Sequence, residues 1–195
     1  MIDRRAFSLG LLALLPLSAC SNPDMVTRAA VSQPSIDGMT RALIALDPSV
    51  DPDEAARAAR ISHEYAADLR VQYKVTDPPL IHNAKVNSGI RDRGLCVHWA
   101  DDIESRLRQE HFRTLYIHRA IAPPRTSFHV SHSAPILSAR GQSMFDGIVV
   151  DGWRESGNLV WAPVRTDEDY NWRPRAEVLN AIVEERARRQ ARLTQ

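Results

Sequence analysis

The period of the hydrophobic positions changes once along the chain, and that change organises everything else. In the first half it is helical. Met39, Leu43 and Leu46 recur at helical spacing and predict a short amphipathic helix over Ile36 to Leu46. A second helix has a clear start: Asp51 as N-cap, Pro52 at the first helical position and Glu54 at the third, followed by alanine-rich sequence to about Arg70. Ile61, Tyr65 and Leu69 are its expected apolar stripe, while Asp53/Arg57 and Arg60/Glu64 stand four apart on the wet side. Asp77-Pro78-Pro79 interrupts the pattern, and "LIHNAKVNSGIRDRG" reads as a connecting loop ending at Gly94. Trp99, Ile103 and Leu107 then fall four apart, with Asp101, Asp102 and Glu104 in the early turns, so a helix begins at or just before Cys96.

Beyond Leu107 the pattern turns to strands. "FRTLYIHRAI", "FHVSHSAPIL", "GIVVDGW" and "NLVWAPV" are short runs rich in β-branched and aromatic residues, separated by turn-forming sequence. They predict consecutive strands of one antiparallel sheet. Pro135 inside the second run implies an edge strand or a bulge there. A last helix, about Pro174 to Arg192, sets Val178, Ala181, Ile182 and Ala187 on one side and arginines on the other. Helices first and strands later is an α+β arrangement.

The chain ends add a location to this picture. "MIDRRAFSLGLLALLPLSAC" has two arginines, an apolar run too short for a permanent span, and small residues before Cys20. Residues 1–19 therefore read as a signal peptide. Leu17-Ser18-Ala19-Cys20 resembles a bacterial lipobox, which implies acylation of Cys20 and a membrane anchor facing the periplasm. Ser21 after it favours the outer membrane by resemblance. Plain secretion with cleavage near Ala19 is the alternative, and Arg4-Arg5 also resembles a twin-arginine signal. Residues 20–34 read as a polar tether, 35–76 as N-terminal helices, and 77–195 as the main domain with its C-terminal helix. With 25 basic against 24 acidic residues, no nucleic-acid partner is implied. If Cys20 carries lipid, Cys96 has no cysteine to pair with. A lone thiol in an oxidising compartment is either buried and inert or kept for its reactivity.

Its place at a helix start favours the thiolate, through unpaired backbone amides and the positive end of the helix dipole. Acyl transfer also needs an imidazole and a group to orient it. Of the seven histidines, His63 and His111 lie on expected helix surface, His82 in the connecting loop and His118 between strand residues and Arg119. His98 points about 200° away from Cys96 on the same helix. His129 and His132 remain, at the start of one strand. Their spacing places them on opposite faces, which argues against a metal site. Asp151 ends "IVVD" on the next strand, where it can meet the second ring nitrogen. The order is Cys96, His132, Asp151. Each has a plainer reading: Cys96 as a small buried hydrophobe, His132 as a hydrogen-bonded core residue, Asp151 as a cap of "DGW" or a partner of Arg154. Trp153, Trp161 and Trp172 read most simply as core.

A cysteine opening a helix after glycine, a histidine opening a strand and an aspartate ending the next one resemble the transglutaminase-like cysteine hydrolases of papain-like fold. "HNAKVNSGIRDRGLCVHWADDI", "HRAIA", "HVSHSAPIL" and "GIVVDGWRESGNLVW" are also similar to a group of small bacterial lipoproteins and exported proteins. The resemblance covers about Leu80 to Trp172. It implies Cys96 as nucleophile, His132 as general base and acid, Asp151 as the orienting group, no cofactor and no metal, and it prefers His132 to His129. The expected substrate is a peptide, protein or peptidoglycan cross-link. Asn87 and Asn83 are oxyanion candidates beside the backbone N–H of Cys96. Ser133-Ala134-Pro135 departs from the aromatic residue that many such proteins carry two positions after the histidine. The alternative is an inactive fold kept as an envelope binding or assembly module.

Overall fold

In the computed structural model, residues 26–124 and 131–193 are described; the signal peptide, Cys20 and His129 lie outside them. The first helix, α1 (Gln33–Ile44), begins three residues earlier than the periodicity suggests, capped by Ser32, whose hydroxyl accepts from the N–H of Ser35. The chain before it is docked: Arg28 pairs with Asp68 and donates to the Glu64 carbonyl, and Arg70 donates to the carbonyl of Thr27. α2 (Pro52–Gln72) starts where expected, with Asp51 accepting from the N–H of Asp53 and Glu54.

The buried face of α2 is not the expected stripe. Ala55, Ala58, Ala59, Ala66 and Ala67 are buried with Leu69, whereas Ile61 and Tyr65 are only half-buried. Small side chains let α1 and α4 (Cys96–Arg108) approach closely, and the larger residues close the margin. His63 falls on this face too. It is buried, not solvated, with Nδ1 donating to the Ala59 carbonyl and Nε2 accepting from the Ser35 hydroxyl. Burial holds its pKa below the ordinary value despite that carbonyl. Asp53/Arg57 does not form; Arg57 reaches Glu110 at 3.5 Å.

The expected connecting loop contains a helix, α3 (Pro79–Asn87). Pro79 is its first residue, so the Pro-Pro pair that breaks one helix opens another. Its low amphipathicity and lack of a side-chain cap left no periodic signal.

All four expected strands form: β1 (Leu115–Ala122), β2 (His132–Ala139), β3 (Ile148–Glu155) and β4 (Asn158–Pro163). A two-residue strand, β5 (Arg173–Pro174), leads into α5 (Arg175–Leu193). The sheet is antiparallel in the order β4-β3-β2-β1-β5. β2 is therefore central, so of the edge strand or bulge expected at Pro135 the edge position is not found. The sheet tolerates the proline because the β2–β3 ladder pairs only Ile136 with Val149 and Leu137 with Ile148, opening at Pro135.

α1, α2 and α4 cover one face with Ile117, Leu137, Ile148 and Val150; the other face packs Ala120, Ala134, Ile136 and Val149 against Trp172. His132 has the parity of Ala134 and Ile136, and Asp151 that of Val149, so both belong to the Trp172 face. Gly152 turns instead toward α4, where an added Cβ would sit 2.8 Å from Trp99 Cε3 and 3.0 Å from Ile103 Cδ1. Gly152→Ala is accordingly expected to cost about 1–3 kcal/mol by overpacking. Urea unfolding at neutral pH checks this, and an unchanged midpoint would contradict the close approach of helix and strand.

Candidate functional site

Cys96, His132 and Asp151 meet where the start of α4 faces the start of β2. His132 is fully buried, and its Nε2 lies 2.5 Å from Asp151 Oδ2. The other oxygen of Asp151 accepts from the backbone N–H of Trp153 at 2.9 Å and of Arg154 at 3.3 Å. Arg154 Nε also donates to Oδ2 at 2.8 Å. The three roles considered for Asp151, imidazole partner, turn cap and arginine partner, thus coexist in one carboxylate.

The network extends past what the sequence revealed. Arg154 forks onto Asp167, whose Oδ2 also accepts from Trp172 Nε1 at 2.8 Å. The guanidinium lies over the Tyr170 ring, 4.4 Å from its centroid. Tyr170, Trp153 and Trp172 surround the imidazole with ring centroids at 4.5, 4.8 and 5.4 Å. These rings take the covering role that Ser133-Ala134-Pro135 cannot. Trp153 and Trp172 were legible as core aromatics; Asp167 and Tyr170 gave no periodic signal.

This setting decides the charge on the ring. Burial disfavours the imidazolium, but the charge of Asp151 and its hydrogen bond outweigh that, with a smaller contribution from Cys96, and hold the His132 pKa at about 9. Burial likewise disfavours the Asp151 carboxylate; His132, then Arg154 and the Trp153 N–H, keep its pKa below the ordinary range.

With Nε2 engaged, Nδ1 is the nitrogen left for a thiol, and it is buried without a hydrogen-bond partner among the described residues. Cys96 is half-exposed and close enough to stabilise the imidazolium, while its Sγ–H donates to the Ser131 carbonyl at 3.5 Å. The thiol is beside the imidazole without a formed bond to it. Ser131 also lines a mostly apolar groove of about 440 Å³ between Pro123, Pro124 and the Val178-Ala181-Ile182 face of α5.

The two oxyanion candidates separate. Asn83 is half-buried on α3, and its Oδ1 accepts from Trp153 Nε1 at 3.1 Å, which leaves its amide N–H groups as the donors it has to offer. Asn87 is exposed at the end of α3. Among the described residues, no group of three or more His, Cys, Asp or Glu is arranged to hold a metal, and no helix is long and apolar enough to cross a membrane.

No family model, curated protein or solved structure matches the chain.

Proposed function

We propose that this chain is a lipid-anchored envelope enzyme of transglutaminase-like, papain-like fold that carries out acyl transfer or hydrolysis with a Cys96-His132-Asp151 triad. The observation that carries the reading is the buried imidazole bound on Nε2 by a carboxylate, with Nδ1 unpartnered and a thiol beside it. In the reaction, thiolate Sγ attacks the carbonyl carbon of an amide or ester, forming the C–S bond. The developing oxyanion is taken by the Cys96 backbone N–H and the Asn83 side-chain amide. The Nδ1–H of the imidazolium passes its proton to the leaving nitrogen or oxygen as that bond breaks. Nδ1 then takes a proton from water, or from a second amine, which attacks the thioester and frees Cys96. A peptide, protein or peptidoglycan cross-link is the substrate class that an anchor at Cys20 would place within reach.

A second reading draws on a different observation. Cys96 Sγ donates to Ser131 and not to the imidazole, and His132 is sealed beneath three aromatic rings. That geometry also suits an inactive fold kept as an envelope binding module.

Alkylation separates the two. Cys96 in the folded protein is expected to react with iodoacetamide at pH 7 about tenfold faster than a free thiol, as activation by the neighbouring imidazole requires, with mass spectrometry reading the Cys96 peptide. His132→Ala should remove the acceleration. A thiol that reacts only after denaturation would favour the module.

A further inference from the structure

The turn leading into Cys96 is held by a histidine that the chemistry above does not use. The N-cap of α4 is Leu95, which offers no side-chain oxygen to the first-turn amides. His98 supplies an acceptor from three residues further on. Its Nδ1 accepts from the backbone N–H of Gly94 at 3.1 Å and of Leu95 at 3.3 Å. An imidazole nitrogen accepts only when unprotonated, so a neutral ring here carries its proton on Nε2.

Other contacts fix the surroundings. Trp99 Nε1 donates to the Gly94 carbonyl at 3.0 Å, and the Tyr73 hydroxyl is 3.2 Å from the His98 carbonyl and 2.5 Å from Asp102 Oδ2. Gly94 has a φ of +126°, and its missing side chain leaves room for the His82 ring, whose Nε2 donates to the Arg93 carbonyl at 2.9 Å. The charges facing His98 are Arg93 on the loop and Asp101 and Asp102 on α4 itself; Tyr73, which caps the end of α2, is the other titratable group against its backbone. Partial burial and then Arg93 disfavour its cation, and together they outweigh the two aspartates.

We propose that neutral His98 is a positioning residue for Cys96: protonation of Nδ1 turns the acceptor shared by Gly94 and Leu95 into a donor and releases the segment that enters the thiol-bearing turn. The consequence for turnover rests on Cys96 being the nucleophile; the clamp itself does not. Cys96 reactivity then falls in mild acid for a reason separate from protonation of the thiol.

The test uses the full chain and His98→Asn, whose side-chain carbonyl is an acceptor of similar reach that does not titrate. Amide resonances of Gly94 and Leu95 are followed from about pH 8 to about pH 5, alongside iodoacetamide labelling of the Cys96 peptide. In the parent chain both amides are expected to shift together, with a midpoint below the ordinary histidine value of about 6.5. In His98→Asn they should stay flat, and the variant-to-parent labelling ratio should rise severalfold as pH falls through the midpoint of the parent amides. Amides that stay flat in the parent, or titrate equally in His98→Asn, overturn the clamp. A labelling ratio that is constant with pH while the amides titrate overturns its hold on Cys96. Parent labelling no faster than a free thiol at any pH, with the ratio still rising in acid, defeats the acyl-transfer reading and leaves the clamp standing.

Discussion

Replacing Asp151 with asparagine is expected to lower turnover by about 10³- to 10⁴-fold while leaving the strand it sits on folded. The carboxylate does two separable jobs. Through Oδ1 it accepts from the N–H of Trp153 and Arg154, and an asparagine carbonyl can continue to do so. Through Oδ2 it binds His132 Nε2 and Arg154 Nε, and an asparagine amide cannot, because it presents N–H groups to a donor. The neutral imidazole is then driven to accept at Nε2 and carry its proton on Nδ1, the tautomer that cannot take a proton from the thiol. Its pKa should move too. Burial opposes the imidazolium, and the Asp151 charge is the main influence that overcomes it. Removing that charge leaves burial opposed only by the smaller contribution of Cys96, so the His132 titration should fall from about 9 toward or below the ordinary value of about 6.5. For the parent, a raised folded-state pKa means a stabilising contribution complete below about pH 6.5 and lost as pH rises through about 9; the variant should lack that alkaline loss. The His132 ring resonance and the pH dependence of Cys96 labelling check both claims. A ring that still titrates near 9, with labelling within about threefold of the parent, would remove Asp151 from the proposed mechanism.

How far the residues alone reach depends on what kind of signal each feature leaves. The starts of α2 and α4 are written in local chemistry, in Asp51-Pro52 and in a glycine before a run with Trp99, Ile103 and Leu107 four apart, and both are found in place. The four long strands are similarly legible from composition. The pairing of His132 with Asp151 follows from strand order, since a histidine opening one strand and an aspartate on its neighbour need only a shared parity to meet. What escaped detection is what depends on neighbours. The inward face of α2 is set by how closely α1 and α4 approach, a tertiary demand that favours alanine over the larger residues a periodicity argument selects. Pro135 misleads because a proline forbids a ladder bond only where a ladder runs, and the β2–β3 pairing stops short of it. Tyr170 and Trp172 over His132, and Asp167 against Arg154, come from the segment after β4, where the chain returns across the sheet without a period of its own. The His98 side chain points away from Cys96 along the helix, yet its ring accepts from the backbone leading into that residue, a contact that side-chain direction does not expose.

The largest stability effect expected outside the site belongs to Glu54, which ties the start of α2 to the start of the sheet. Placed at the third helical position, it looks like half of a capping box. Instead its carboxylate is buried and accepts from the N–H of Arg113 and Thr114, each at 2.8 Å, and from the Thr114 hydroxyl at 2.6 Å. The same hydroxyl oxygen accepts from the N–H of Asp51, so the N-cap of α2 and the residue before β1 are locked together. Burial opposes the carboxylate, yet these donors prevail and lower its pKa from 4.5 to about 2. A carboxylate held below its unfolded value stabilises the fold fully above about pH 5, and that contribution is lost as pH falls toward and through about 2. The shift corresponds to about 3 kcal/mol at neutral pH, of which about 2 kcal/mol should be gone by pH 3. Glu54→Gln cannot titrate and sets an amide against three donors. It is expected to lower stability by about 3 kcal/mol at pH 7 in urea unfolding, and by only about 1 kcal/mol at pH 3. The narrowing between the two pH values carries the test, because a purely steric defect would cost the same at both. A constant gap would place the stabilising contribution of Glu54 in packing and not in its charge. The bonds to Arg113 and Thr114 fix where β1 begins, and β1 sets the register of β2 through to the pairing of Ala122 with His132. Partial release of Glu54 should therefore reach the imidazole of His132, 78 positions further along the chain, as a broadened His132 ring resonance in acid before the protein unfolds.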